Sequence, residues 1–170
     1  MDSAAGKLPR SYALRRCIKD SATTHEISFY ALRVSMWTVF GQDHLLKKIE
    51  STLQQRRQSH AYMLIGPPHV GKMALAINIT QALNCIDGPG VPCGTCTQCI
   101  RIADGHHADV RIVTPGYSDE SRVTRTVIGI NDIKEALRHV HLHPYEGSTS
   151  VVILDGAESM SAEAANALLK

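Results

Sequence analysis

The sequence predicts an α/β domain, a parallel sheet flanked by helices and interrupted by a cysteine-rich insert. Three observations carry that expectation. The apolar run AYMLI, residues 61–65, stops at the glycine-bearing loop GPPHVGK and is followed by the helix formers MALAINITQALN; strand, tight loop and helix in that order open a parallel sheet. Two later runs of strand length, ADVRIV and SVVILD, are separated by a helical pattern, which is what a parallel crossover requires. Between the first of these units and the second strand lies CIDGPGVPCGTCTQC, residues 85–99, rich in turn residues and without packing periodicity.

Residues 1–35 carry no sustained periodicity and are read as an N-terminal extension without function, in which Cys17 is an ordinary thiol. The domain proper is expected over residues 36–170. Residues 41–58 form its first helix, with Leu45, Leu46, Ile49 and Leu53 at helical spacing. A strand over 61–65, a helix over 73–84, the insert, a short helix over 98–103 and a strand over 108–113 follow. Residues 114–129 read as an exposed loop or hairpin. A helix then places Ile130, Ile133, Leu137 and Val140 on one side, with Asn131 or Asp132 near its start. The third strand covers 150–155, and Ser161 caps a last helix whose pattern still runs at Lys170, so the chain reads as a fragment of a longer fold.

Composition narrows the function classes. The 170 residues, 44% hydrophobic and 20% charged, suit one globular domain, and 18 Lys plus Arg against 16 Asp plus Glu leave a net charge of only +2. That field does not announce a nucleic-acid binder, and Arg101, Arg111, Arg122, Arg125 and Arg138 are scattered as on an ordinary surface. No run approaches the roughly 18 apolar residues of a membrane span, so no membrane partner and a cytoplasmic location are expected.

Five cysteines, four of them within residues 85–99, contrast with a secreted disulfide scaffold and fit metal ligation in a reducing compartment. Cys93, Cys96 and Cys99 form CxxCxxC, with Cys85 upstream. Two-residue gaps let a turn aim neighbouring sulfurs at one ion, and four thiolates close a tetrahedral Zn²⁺ site with no position left for water, hence a structural one. The competitors are an iron–sulfur cluster, whose ferredoxin spacing is not matched, and four unliganded thiols.

Residues 66–72 match GxxxxGK. Gly66 and Gly71 let backbone amides turn toward phosphate oxygens, Pro67, Pro68, His69 and Val70 contribute chiefly backbone, and Lys72 supplies a point charge for the outer phosphates. The His69 side chain is expected to point outward. Met73 stands where an active loop has Ser or Thr for Mg²⁺, and a thioether is a poor ligand for that hard ion. Asp155 ends the third strand as a Mg²⁺-binding acid should, but Gly156 follows where ATPases of this class carry a water-orienting Glu; Glu158 lies too far along and suits a helix start. Hydrolysis, ATP binding without hydrolysis, and an empty structural loop all remain open at this point. His106, His107, His139, His141 and His143 are read as solvated groups near helix ends, and no nucleophile–base set or paired carboxylates appear, so no catalytic residue is assigned.

In this order HAYMLIGPPHVGK, the four cysteines, HHADV and PYEGSTSVVILDGAESMSAEAANALLK resemble the N-terminal ATPase-type domain of bacterial DNA polymerase III clamp-loader subunits, from about Val39 to Lys170. The resemblance implies an AAA+ P-loop domain with a zinc knuckle after the phosphate-loop helix. Carried over by position, residues 66–73 and Asp155 would hold nucleotide, and Cys85, Cys93, Cys96 and Cys99 would hold zinc. Met73 and Gly156 depart from the catalytic gamma/tau subunits and favour the delta-prime branch, with its degraded nucleotide site. Other loader subunits, the sliding clamp and primer–template DNA are the implied partners; an arginine finger, second sensor and oligomerising domain would lie beyond Lys170. A gamma/tau-type ATPase and a zinc-bearing nucleic-acid module are the alternatives, and no acidic palm for nucleotide polymerisation is recognisable.

Overall fold

The protein is described from a computed structural model covering residues 37–88, 90–115 and 126–169. Its elements run α1 (Asp43–Gln54), α2 (Lys72–Asn84), α3 (Thr97–Ala103), β1 (Val110–Val113), α4 (Ile130–His141), β2 (Val151–Leu154), a 3₁₀ turn (Ala157–Ser159) and α5 (Ala162–Leu168). Helix α1 buries Leu46, Ile49 and Leu53 and leaves Leu45 at the rim. These residues pack with Val39, Leu75, Ile79 and Ala82 into a first core, flanked by Trp37 and Leu64. A second core joins Val113, Ile128, Ile133, Ala136 and Ala164. It lies where α4 and α5 cover β1 and β2, which pair in parallel from Val110 with Val151 to Val113 with Leu154.

The helix boundaries follow local chemistry. Ser161 Oγ accepts the Ala164 N–H at 3.1 Å, capping α5 as its sequence predicts. Helix α4 begins at Ile130, with Asn131 and Asp132 in its first turn as expected, and its N-cap Gly129 donates its N–H to Asp132 Oδ2 at 2.9 Å. Asp132 therefore acts from the first turn back onto the cap. Val140 is 45% exposed and does not belong to the buried side of that helix. Cys17, Arg122, Arg125 and most of the 114–129 loop lie outside the described residues.

One expected element is absent. Residues 61–65 form no strand, and Met63 is 82% and Ile65 86% exposed. An apolar run becomes a strand only when a neighbour takes its N–H and C=O groups. Among the described residues no backbone hydrogen bond joins 61–65 to either strand. Leu64 packs against the first core.

A polar knot fixes the entry into β2. Asn84, buried at the end of α2, accepts the N–H groups of Ser148 and Thr149 at 2.8 and 2.9 Å and donates to Thr149 O at 3.1 Å. Beside it, a Cβ on Gly147 would stand 2.5 Å from Asn84 Oδ1 and 3.1 Å from His107 Cε1. Gly147→Ala is thus expected to destabilise by about 1–3 kcal/mol, as overpacking in a tight interior does, read as a lower midpoint in urea with an unchanged slope.

Candidate functional site

The insert folds into a knuckle whose sulfurs converge. The Sγ atoms of Cys85, Cys93, Cys96 and Cys99 all lie within 4.8 Å of one another, and those of Cys93 and Cys99 are 3.9 Å apart. A tetrahedral Zn²⁺ with bonds of about 2.3 Å sets its sulfurs roughly 3.8 Å apart. Gly90 and Gly94, at φ 93° and 70°, make the turns that bring them together. At Gly90 the backbone also passes so close to α1 that a Cβ would meet Gln54 N at 2.8 Å. Amides face the sulfurs: Cys93 Sγ accepts from the N–H of Cys96 at 3.2 Å, and Cys96 Sγ from that of Cys99 at 3.4 Å.

These surroundings divide the thiols. Burial pushes Cys99 and Cys93 up, partly offset at Cys93 by the N–H groups of Thr95 and Cys96. Burial also opposes ionisation of Cys96, but the N–H groups of Cys99 and Ile86 and the adjacent thiols bring it down to about 7. The donor set, its convergence and the amides aimed at it fit a structural zinc ion, held by all four cysteines and closed to substrate.

The GxxxxGK loop leads directly into α2. Gly71 at φ 88° precedes the first helical residue, and His69, exposed as expected, sits at φ 62°. Lys72 Nζ donates to the carbonyls of Gly66 and Pro67, each at 2.8 Å, so its ammonium lies across the loop mouth. Gly66, Pro67, Pro68 and Val70 are exposed, and Met73 is half-buried in the first turn of α2. Asp155 is exposed just past β2 and, among the described residues, its carboxylate makes no hydrogen bond. Gly156 adopts φ 72°, and a Cβ there would meet Pro115 Cγ at 3.1 Å.

Sequence reasoning missed the network beside the knuckle. His107 is not a solvated group: it is 4% exposed, with Nε2 bonded to Gln98 Oε1 and Nδ1 accepting the Asp109 N–H at 3.1 Å. That pattern specifies the Nε2–H tautomer. Asp109, also 4% exposed, accepts the N–H groups of Tyr145, Glu146 and Gly147 at 2.6, 2.8 and 2.6 Å. Glu146 pairs with Arg101 and accepts the Ala108 N–H. The adjacent pair HH gave no directional signal, because its two side chains diverge in extended chain; only the run HADV, polar groups opening into a strand, hinted at burial. His106 and His143 are exposed; His139 and His141 fall in the last turn of α4, where His141 Nδ1 meets Leu137 O at 2.7 Å. Arg101 and Arg111 are occupied by Glu146 and Glu135. No helix among the described residues is long and apolar enough to cross a membrane.

A small α/β domain whose GxxxxGK loop opens a helix, with a four-cysteine metal knuckle placed directly after that helix, defines a narrow class of protein. The chain belongs to the family described as "DNA polymerase III, delta subunit", whose profile matches residues 41–170. It is similar to DNA polymerase III subunit tau/gamma of Haemophilus influenzae, 32% identical over 133 residues, covering 78% of this chain and 18% of that protein. Subunit tau of Bacillus subtilis is likewise 32% identical, with 78% of this chain and 22% of the relative covered. Subunit delta' of Bacillus subtilis is 30% identical over 129 residues, 76% of this chain and 37% of the relative. The chain thus spans between about a fifth and two fifths of the length of these relatives.

Proposed function

We propose that the chain is a clamp-loader subunit with a degenerate nucleotide site, acting in assembly of the ring that loads the sliding clamp on primed DNA. Residues 36–170 are then part of an AAA+ P-loop domain with a zinc-binding insert at 85–99, and residues 1–35 an extension outside it. In this reading residues 66–73 and Asp155 face nucleotide, and other loader subunits are the direct partners. Tau, gamma and delta' subunits among the relatives support the assembly role.

The observation that carries the degenerate site is Gly156. It stands where a water-orienting Glu would be, at φ 72° and against Pro115. An L side chain there costs on the order of 1–2 kcal/mol of backbone strain, beyond the contact with the proline ring. Met73 removes a second element, the hydroxyl for Mg²⁺. A hydrolysing gamma/tau-type subunit is the second reading, favoured by Lys72 held across the loop mouth and by Asp155 at the end of β2. The occupied Arg101 and Arg111 weigh against a zinc-bearing nucleic-acid module.

Calorimetric titration of ATP into the zinc-loaded chain, with and without Mg²⁺, separates these readings. Binding of ATP that Mg²⁺ does not tighten is expected, together with co-elution with the other loader subunits that Lys72→Ala leaves intact. Mg²⁺-dependent turnover abolished by Lys72→Ala would replace the degenerate reading by the hydrolysing one, and failure to enter the assembly would end both.

A further inference from the structure

We propose that Gln98 is the positioning residue through which metal occupancy of the cysteine cluster orders residues 145–147 and the entries into both strands. Gln98 lies between Cys96 and Cys99, two of the four converging cysteines, so closure of the knuckle on an ion fixes its backbone. Both ends of its carboxamide are committed outward. Nε2 donates to Glu146 O at 2.8 Å, across 48 residues of chain, and Oε1 accepts from His107. His107 in turn takes the N–H of Asp109, whose carboxylate gathers the three amides of 145–147. One side chain in the knuckle therefore holds both the residue before β1 and the segment before β2.

The element bearing Gln98 depends on the metal. Helix α3 has seven residues, below the length at which a helix persists by itself. Cys96 caps it and Cys99 lies in its first turn, so two of its first four positions are tied to the ion site. Among the described residues the other side-chain hydrogen bonds of α3 to its surroundings are Gln81 Nε2 on Cys99 O at 2.8 Å and Arg101 on Glu146 and on His106 O, and the helix also packs on α2 with Ile102 buried. The ionisable groups facing Gln98 and residues 145–147 are His107, Asp109, Glu146 and Arg101, and all four are already partnered. Order in 145–147 thus travels from metal to α3 to Gln98, and from there to His107 and Glu146 O.

Amide hydrogen exchange on the full chain tests this, comparing protein loaded with one equivalent of Zn²⁺ with protein stripped by a chelator. Exchange at Asp109, Tyr145, Glu146 and Gly147 is expected to quicken about tenfold or more on stripping. The decisive variant is Gln98→Met, of similar volume but without the two hydrogen bonds. It should retain one zinc per chain and protected amides at 85–99, yet show fast exchange at 145–147 that stripping no longer changes. A Gln98 with a merely structural role would lower protection in both states and leave the zinc dependence in place. The proposal falls if zinc-loaded Gln98→Met keeps wild-type protection at 145–147, or if its exchange there still responds to zinc. Should stripping unfold the whole wild-type chain, the zinc-loaded variant still decides by the first criterion.

Discussion

Cys99→Ser is expected to abolish zinc retention at neutral pH and to lower the unfolding midpoint by about 10 °C or more, since structural zinc sites contribute folding energy directly. Cys99 is fully buried, lies in the first turn of α3 and sits 3.9 Å from Cys93, sulfur to sulfur. A serine hydroxyl at neutral pH does not replace the thiolate, so the remaining sulfurs face an incomplete tetrahedron. Metal analysis of the purified variant and thermal unfolding by circular dichroism read the two effects; a variant with one zinc per chain and a wild-type midpoint would contradict the assignment. The pH dependence has a definite sign. Zinc takes thiolates, while burial raises Cys99 and Cys93 and Cys96 titrates at about 7. Protons therefore compete with the ion, and affinity should rise with pH through neutrality and fall away in acid.

Asp109→Ala should cost about 3 kcal/mol or more, as removal of one partner from a buried charge-assisted set does. The substitution leaves the backbone N–H groups of Tyr145, Glu146 and Gly147 without their shared acceptor. Burial alone would lift the Asp109 carboxyl, but the donors from Tyr145, Gly147 and Glu146 outweigh it and hold it below the ordinary 3.8. Because the folded value lies below the unfolded one, this group's contribution is fully present above the unfolded pKa and disappears as pH falls through the folded value. Urea unfolding between pH 7 and pH 2 should therefore show a smaller acid loss of stability in Asp109→Ala than in wild type. Equal pH profiles for the two proteins would show that the carboxylate is not held as described.

What the sequence revealed and what it hid have physical reasons. The metal site was readable because two-residue gaps between cysteines leave few geometries, and the structure brings those four sulfurs together. Helix α1 was readable from its apolar period, α2 from its run of helix formers after the loop, and α5 from Ser161. The strand expected at 61–65 was not found, because apolar content reports a tendency to be buried and says nothing about which neighbour supplies hydrogen bonds. The buried roles of His107, Asp109, Asn84 and Gly147 were missed for a related reason. Each is defined by partners distant along the chain, and single polar residues in loops look alike until those partners are placed. Gly156 was noticed for the side chain it lacks; its left-handed backbone and its contact with Pro115 became visible only in three dimensions.

The Asn84 knot also bears on how the chain reaches its native state. Its bonds to Ser148 and Thr149 close loops of 64 and 65 residues, and contacts of such long range must overcome loop-closure entropy before they contribute. During synthesis, Asn84 emerges well before Ser148 and Thr149, the residues that satisfy it. The knuckle closes within fifteen residues, 85–99, far sooner. A nascent chain that captures its metal early carries a preformed corner onto which the later strand can dock, so scarcity of zinc should appear first as a lower yield of refolded or newly made protein.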